Sequence, residues 1–427
     1  MERSTDNVRA IALSVLNKCL CAGQYSNISL DHALKRASLS AQDKGLLTAL
    51  VYGVLERKLT LDACIESLSA RKITDVDIET CNLLRLGLYQ MKYLDRVPDH
   101  AAVNETVSLA PRKTRGFVNA ILRAFSRAGK EIAVVDPVTD PVGYLSVKYS
   151  FLPALCEEFI GTFGFARAES MLAAFCEQPP LTVRVNTLKC TRDDLKSRFE
   201  ADGLTVSETP ISASGLRVIG SPVTSLSGFA DGDFFVQDEA SQLCAEALDA
   251  RAGMTVIDVC ACPGSKSFGA AIQMQNTGRV ISCDLHANKL SLVESGAARL
   301  GISIVETVAR DARLVNEDWR GLADRVLCDV PCSGFGVFAK KPELRYKDPV
   351  ASEPLPQIQL DILEASSAYV KRGGRLVYST CTVLPRENEQ NVQRFLDLHP
   401  DFSLVQMRTL YPDTDRTDGF FFAVMER

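Results

Sequence analysis

Two cysteines, Cys381 and Cys332, stand where a thiol could do chemistry. Residues 375–378 read as a short buried strand entered through Gly373 and Gly374, and a helical pattern restarts after Pro385, so Cys381 falls where a strand ends. Residues 324–330 form another apolar strand that runs straight into Pro331, Cys332, Ser333 and Gly334. In an open α/β sheet, ligands bind in the crevice at the carboxyl ends of the strands, so both thiols would face a bound molecule. Cysteine is otherwise among the most often buried residues. Cys19, Cys64, Cys81, Cys156 and Cys244 are expected to be ordinary core thiols.

The elements that must carry these thiols begin near residue 236, where strand and helix alternate. Strands are expected at 254–259, 279–283, 302–308, 324–330 and 375–378, and helices near 264–274, 287–300, 355–371 and 386–398, the pattern of a doubly wound parallel sheet. The first strand runs into residues 258–266, DVCACPGSK, a Gly/Pro turn opening a helix and offering backbone N–H groups to a ligand. Asp284 closes the second strand, where an acid conventionally accepts hydrogen bonds from ribose hydroxyls. The turn lacks the GxGxxG of a dinucleotide site and fits an adenosine cofactor without a pyrophosphate, such as S-adenosylmethionine. Cys260, Ala261, Cys262, Pro263, Gly264, Ser265 and Lys266 of the turn, with Asp284, Asp311 and Asp329, are the expected cofactor contacts. Any one such aspartate is more often a turn or cap residue. It is their recurrence after successive strands that points to a single crevice.

The remaining chain sets the context. At 427 residues, with 46% hydrophobic and 24% charged residues, it is long enough for several globular domains. No apolar run approaches the ~20 residues of a membrane span and the start lacks a signal peptide's apolar segment, so a cytoplasmic protein with reduced thiols is expected. With no CxxC pair and only His32, His100, His286 and His399, neither a metal site nor a disulfide is expected. The net charge of −5 argues against a generally basic coat, yet residues 106–130 hold Arg112, Lys113, Arg115, Arg123, Arg127 and Lys130 and no acid. That patch suits a phosphate backbone, the plain alternative being a solvated helix face. Apolar spacing makes residues 1–135 an all-helical domain, 136–140 resembles a linker, and 144–235 reads as a small α/β region with strands at 181–188 and 215–219 and Thr191 as a helix N-cap. Residues 236–427 complete the chain as the α/β domain described above.

These residues carry a family resemblance. The 258–266 turn, DVPCSGFGV (329–337), YSTCTVLPRENE (378–389) and DGFFFA (418–423) look like the motifs of the Nop2/Sun class of RNA cytosine-5 methyltransferases. VYGVLERK (51–58), LLRLGLYQMKYLDRVP (83–98) and GFVNAILR (116–123) resemble the NusB RNA-binding fold, and RVNTLK (184–189) and FVQDEASQL (235–243) are similar to the family's connecting segment. The joined arrangement resembles that of the bacterial small-subunit ribosomal RNA methyltransferase B family. It implies an all-α NusB-like domain, a small α/β connecting domain and a Rossmann-like S-adenosylmethionine-dependent methyltransferase domain. It further implies a monomer acting on 16S rRNA at C5 of a cytosine of the cytosine-967 type.

Motif matching assigns attack on C6 of the base to Cys381, product release to Cys332, and hydrogen bonding or protonation at N3 to Asp329. The last role asks for a carboxyl whose pKa is raised. DNA cytosine-5 methyltransferases use a Pro-Cys cysteine as nucleophile, which keeps Cys332 open for that role. Lys266 is the candidate neighbour that activates a thiol. The family turn usually reads CAAPGGK, and Cys262 and Ser265 depart from it. A serine at a left-handed position would cost ~1–2 kcal/mol. The basic stretch Lys340, Lys341, Arg345 and Lys347 could join Arg112, Lys113 and Arg115 in holding RNA phosphates. The competing readings are a non-catalytic ribosome-assembly factor that binds RNA, and a methyltransferase acting on tRNA.

Overall fold

The computed structural model describes residues 7–22, 24, 26–69, 71–132, 134–219 and 223–427. The chain packs as two compact units, one running to Cys176 and taking in Lys341–Pro349, the other formed by Glu177–Lys340 and Val350–Arg427.

The first unit is helical: α1 (Val8–Ala22), α2 (Ser26–Arg36), α3 (Ala41–Glu56), α4 (Lys58–Ser69), α5 (Ile78–Tyr93), α6 (Asp99–Leu109), α7 (Arg115–Arg127), α8 (Pro141–Tyr149), α9 (Pro153–Phe163) and α10 (Phe165–Ala174). Side-chain caps start several of them, Ser40 accepting from the Asp43 N–H and Asp77 from the Thr80 N–H. In α7, Val118, Ile121, Leu122 and Phe125 repeat at helical spacing and are buried, which leaves Arg115, Arg123 and Arg127 on the exposed face. Inside the core Arg85 grips both oxygens of Asp62 at 2.6 and 2.8 Å and donates to Asn82 at 2.6 Å, a bidentate pair with a third bond beside it.

Packing divides the chain after Cys176. By compactness, helices α8–α10 group with the helical unit. The 136–140 segment ends in a cap, Asp140 accepting from the Gly143 N–H at 2.7 Å. Of the expected core thiols, Cys64, Cys81, Cys156 and Cys244 are buried, whereas Cys19 is only partly so.

The second unit opens with a four-stranded antiparallel sheet, order β2-β3-β1-β4, made of β1 (Leu181–Val185), β2 (Thr205–Glu208), β3 (Gly215–Ile219) and β4 (Phe234–Val236). Helix α11 (Arg192–Ala201) packs against it, and its N-terminus is a capping box in which Thr191 and Asp194 satisfy each other's backbone. Asn186 donates to the carbonyls of Gly232 and Leu300, both at 2.9 Å, and so ties this sheet to the larger one's helices.

The larger sheet holds β5 (Thr255–Asp258), β6 (Arg279–Asp284), β7 (Val305–Ala309), β8 (Ala323–Asp329), β9 (Val370–Thr380), β10 (Ser403–Leu410) and β11 (Phe420–Glu426), in the order β10-β11-β9-β8-β5-β6-β7. Strands β5 to β9 are parallel as expected, and β11 pairs antiparallel with both β9 and β10. The antiparallel pair is the part that periodicity does not give, because β11 is a continuous apolar run and β10 is largely exposed. Side chains alternate between two cores. Val256, Val280, Leu327 and Val377 face one, with α12 (Glu239–Ala247), α13 (Ser265–Gln273) and α14 (Ala287–Leu300). Ile257, Ile281, Val326 and Leu376 face the other, with α15 (Leu355–Ser367) and α16 (Glu389–Leu398). Burial on both faces fixes the register, so the residue ending each strand lies at the crevice.

Candidate active site

Asp258 ends β5, and the turn that follows leads into α13 through Gly264, whose φ of 108° suits glycine alone. A Cβ on Gly264 would also meet the Phe268 ring at 2.5 Å. Ser265 is the first residue of α13 and has no positive φ, so the departure from the family's second glycine brings no backbone strain. Asp258 is buried. Its Oδ2 accepts from Ser267 at 2.6 Å, Ser282 donates onward to Ser267 at 2.8 Å, and Oδ1 has no side-chain hydrogen-bond donor among the described residues. Burial lifts the Asp258 carboxyl to about 7, against the opposing hydrogen bond from Ser267.

The neighbouring strands deliver further acids. Asp284, the last residue of β6, accepts from the His286 N–H at 2.9 Å, and burial together with its charge pushes the Cys262 thiol up to about 12. Asp311, just beyond β7, is gripped through both oxygens by Arg313, whose hydrogen bonds bring its carboxyl down to about 2.

The two cysteines meet at the ends of β8 and β9. Their sulfurs are 3.0 Å apart, and the Cys381 N–H points to the Cys332 sulfur at 3.3 Å. Close by, the Lys266 ammonium donates to Asp329 Oδ2 at 2.6 Å while Ser379 donates to Oδ1 at 2.8 Å. Burial pulls the Lys266 ammonium down, but the Asp329 carboxylate outweighs it and the ammonium is held well above its ordinary value. Its charge also acts on Cys381, and it sits 5.1 Å over the Phe420 ring. Both Asp329 oxygens thus already accept hydrogen bonds, one from an ammonium and one from a hydroxyl.

The loop after Cys332 is anchored from the far side. Lys340 reaches Asp418 at 2.6 Å and Asp238 at 2.9 Å, which explains why acids stand in both the FVQDEASQL and DGFFFA stretches. Gly336 and Gly419 touch backbone to backbone, the Gly419 N–H donating to the Gly336 carbonyl at 2.7 Å. A Cβ on Gly336 would lie 1.9 Å from the Gly419 oxygen and 2.8 Å from the Cys381 oxygen, atoms that cannot rotate away. Gly336→Ala is therefore expected to cost about 1–3 kcal/mol or more in a denaturant titration, and an unchanged midpoint would refute this account of the contact.

The expected site residues thus fall into two groups. Residues 260–266, Asp284, Asp311, Asp329, Cys332 and Cys381 all follow or end strands at the carboxyl edge of the sheet. Two members of the proposed basic stretch do not serve as expected. Arg345 is 2% exposed and donates to the carbonyls of Glu56 at 2.9 Å and Phe175 at 2.8 Å, and Lys340 is neutralised by its two aspartates. Lys341 remains exposed, as do Arg112, Lys113 and Arg115. Sequence reasoning missed Asp258 as a site residue, though it ends its strand as Asp284 does. Ser379 was missed as well, and only its place two residues before Cys381 could have flagged it.

An open α/β sheet of this order, with a cofactor-type turn after its first strand and acids closing the next ones, defines a Rossmann-like methyltransferase domain. The model of the 16S rRNA methyltransferase RsmB/F family matches residues 245–426, that of the NusB family residues 6–127, and that of the RsmF/B-like ferredoxin-like domain residues 155–224. The chain belongs to the ribosomal RNA small subunit methyltransferase B family. It is 38% identical to the probable ribosomal RNA small subunit methyltransferase B of Bacillus subtilis, over 99% of each chain. To the protein of that name from Yersinia pseudotuberculosis it is 33% identical, again over 99% of each. Among solved structures, that of PH0851 superposes with a TM-score of 0.82 at 26% identity over 99% of both chains. A methyltransferase homologue from Pyrococcus horikoshii matches with a TM-score of 0.61 at 26% identity, over 69% of this chain and all of that one.

Proposed function

We propose that the protein methylates C5 of one cytosine in 16S rRNA, of the cytosine-967 type, through a covalent bond between Cys381 and C6 of the base. The observation that carries this reading is the pair of thiols 3.0 Å apart beside the Lys266–Asp329 ion pair. The cofactor pocket suits S-adenosylmethionine: Gly264 gives close backbone approach, Asp284 stands where a ribose binds, and the buried Asp258 oxygen without a side-chain donor suits a cationic amino group. Bound there, it supplies an electrophilic methyl group.

The chain's own residues do the rest. A free thiol is only a few per cent ionised near neutrality, so the Lys266 charge acting on Cys381 favours the attacking thiolate. Addition to C6 makes C5 a nucleophilic enamine carbon, and the Asp329–Lys266 pair can hydrogen-bond the N3 and N4 edge where charge develops. After transfer a base removes the C5 proton, the C6–S bond breaks and Cys381 is released, the step we assign to Cys332. Bisulfite mapping of rRNA from cells lacking the protein tests the reading: one 16S 5-methylcytosine should vanish, returning with the wild-type protein and not with Cys381→Ala. An unchanged map would end it.

The helical unit contributes RNA affinity through Arg112, Lys113 and Arg115, which are exposed on and before α7. Each lost phosphate contact lowers the slope of log affinity against log salt by about 0.7 for single strands and ~0.9 for duplex. Neutralising all three should therefore flatten the slope by roughly 2–3 and weaken binding. An unaltered slope would move the RNA elsewhere, Lys341 being the next candidate.

A further inference from the structure

The two cysteines stand in loops built alike. In each, a hydroxyl residue follows the thiol and closes its own loop two residues on: Ser333 accepts from the Phe335 N–H at 3.4 Å, and Thr382 from the Leu384 N–H at 3.3 Å. Both side chains are buried. Ser333 also donates to the Thr382 hydroxyl at 3.0 Å, across 49 residues of sequence. Each loop has a further anchor in the RENE stretch. Glu387 Oε2 accepts from the Ser333 N–H at 2.9 Å, while Asn388 accepts from the Thr380 hydroxyl at 2.6 Å and donates to the Thr382 carbonyl at 3.0 Å, which brackets Cys381. Gln359 holds the residue before Cys332, donating to the Pro331 carbonyl at 3.0 Å.

The bond between Ser333 and Thr382 shapes neither turn, because each turn is already closed by its own backbone N–H. It ties the loops to each other one residue beyond each sulfur, and there the sulfurs are 3.0 Å apart. We propose that Ser333 and Thr382 are a pair of positioning residues whose hydroxyl contact holds the Cys332 and Cys381 sulfurs side by side. The proposal rests on the reading in which Cys332 serves the release of Cys381 from the base, a step that needs the second thiol beside the first. Two thiols on separate loops would otherwise sample many separations, and holding them at one costs conformational entropy. Alanine and valine would fill the same buried space without burying a hydroxyl, whose loss of water only hydrogen bonds offset. The polar choice at both positions is thus explained by what the hydroxyls join.

The separation of two thiols is measurable without RNA or cofactor, as the effective concentration of one at the other. The reduced enzyme is equilibrated with glutathione and its disulfide. Cys332 and Cys381 join through a sulfur–sulfur bond, and the two electrons and two protons they give up reduce one glutathione disulfide to two glutathiones. Peptide mass spectrometry after acid quenching and alkylation counts the linked pair. Ser333→Ala and Thr382→Val should each lower the effective concentration by about tenfold, the scale of one buried hydrogen bond. The double variant should lose far less than the product of the two, because both remove the same contact. A full product, as for two independent turns, overturns the proposal, and so does an unchanged equilibrium in either single variant. If Ser333→Ala does not fold, Thr382→Ser, which keeps the hydroxyl, is set against Thr382→Val. Thr382→Ser should match the wild type, and equal losses in the two overturn the proposal. With rRNA and S-adenosylmethionine, the single variants should build up RNA-linked enzyme at an unchanged KM for RNA. A lowered effective concentration without that build-up would refute the release reading and leave the positioning in place.

Discussion

Cys381→Ala should abolish methyl transfer and any covalent link to RNA, whereas Cys332→Ala should leave methylated RNA attached to the enzyme in a complex that survives denaturant. The asymmetry follows from order. Attack and methylation precede the step given to Cys332, so its loss stalls the reaction after the C–S bond has formed. The thiols are 3.0 Å apart, so whichever attacks, the other lies beside the leaving sulfur. A denaturing gel of each variant with rRNA and S-adenosylmethionine decides between them. The reverse pattern, with the adduct surviving in Cys381→Ala, would make Cys332 the nucleophile. If not even wild type trapped a 5-fluorocytosine substrate, which cannot lose its C5 substituent, covalent catalysis would be wrong and the assembly-factor reading would gain.

The second large effect is expected at the Lys266–Asp329 pair. Asp329→Asn should lower kcat by about 10²–10⁴, the usual scale for a lost proton-handling group. It should also destabilise the fold by about 3 kcal/mol, because a nearly buried ammonium loses its partner. The estimate sits at the low end for buried pairs since the Asp329 side chain is 30% exposed. Lys266→Met in the same chain removes the stranded charge. The double variant should recover most of the stability and none of the activity, measured by denaturant titration and methyl incorporation. Recovery of both would make the pair purely structural.

What could be read from the sequence follows a simple physical line. Cys381, Cys332 and Asp284 were legible because each follows a strand whose apolar run is local, and Thr191 because capping is decided within four residues. Glu387 and Asn388 were quoted without a role because their partners are reached through tertiary contact, Ser333 lying 54 residues from Glu387. Arg345 was misjudged for the same reason. A short basic stretch looks solvated until the carbonyls of Glu56 and Phe175 are found to accept from it. Strand β11 was missed because three successive phenylalanines carry no alternation.

The chain passage at Lys341–Pro349 bears on biosynthesis. Those residues complete the helical unit, with the Arg345 guanidinium on the Glu56 and Phe175 carbonyls and the Tyr346 hydroxyl beside Ser150 at 2.9 Å. Domains generally fold in order as they leave the ribosome. Here the first unit must wait, with acceptors unfilled, until Pro349 has emerged, by which time four of the five parallel strands of the catalytic sheet have been synthesised. Vectorial folding of this protein is thus interlaced, and a fragment ending at Cys176 lacks the segment that closes its own core.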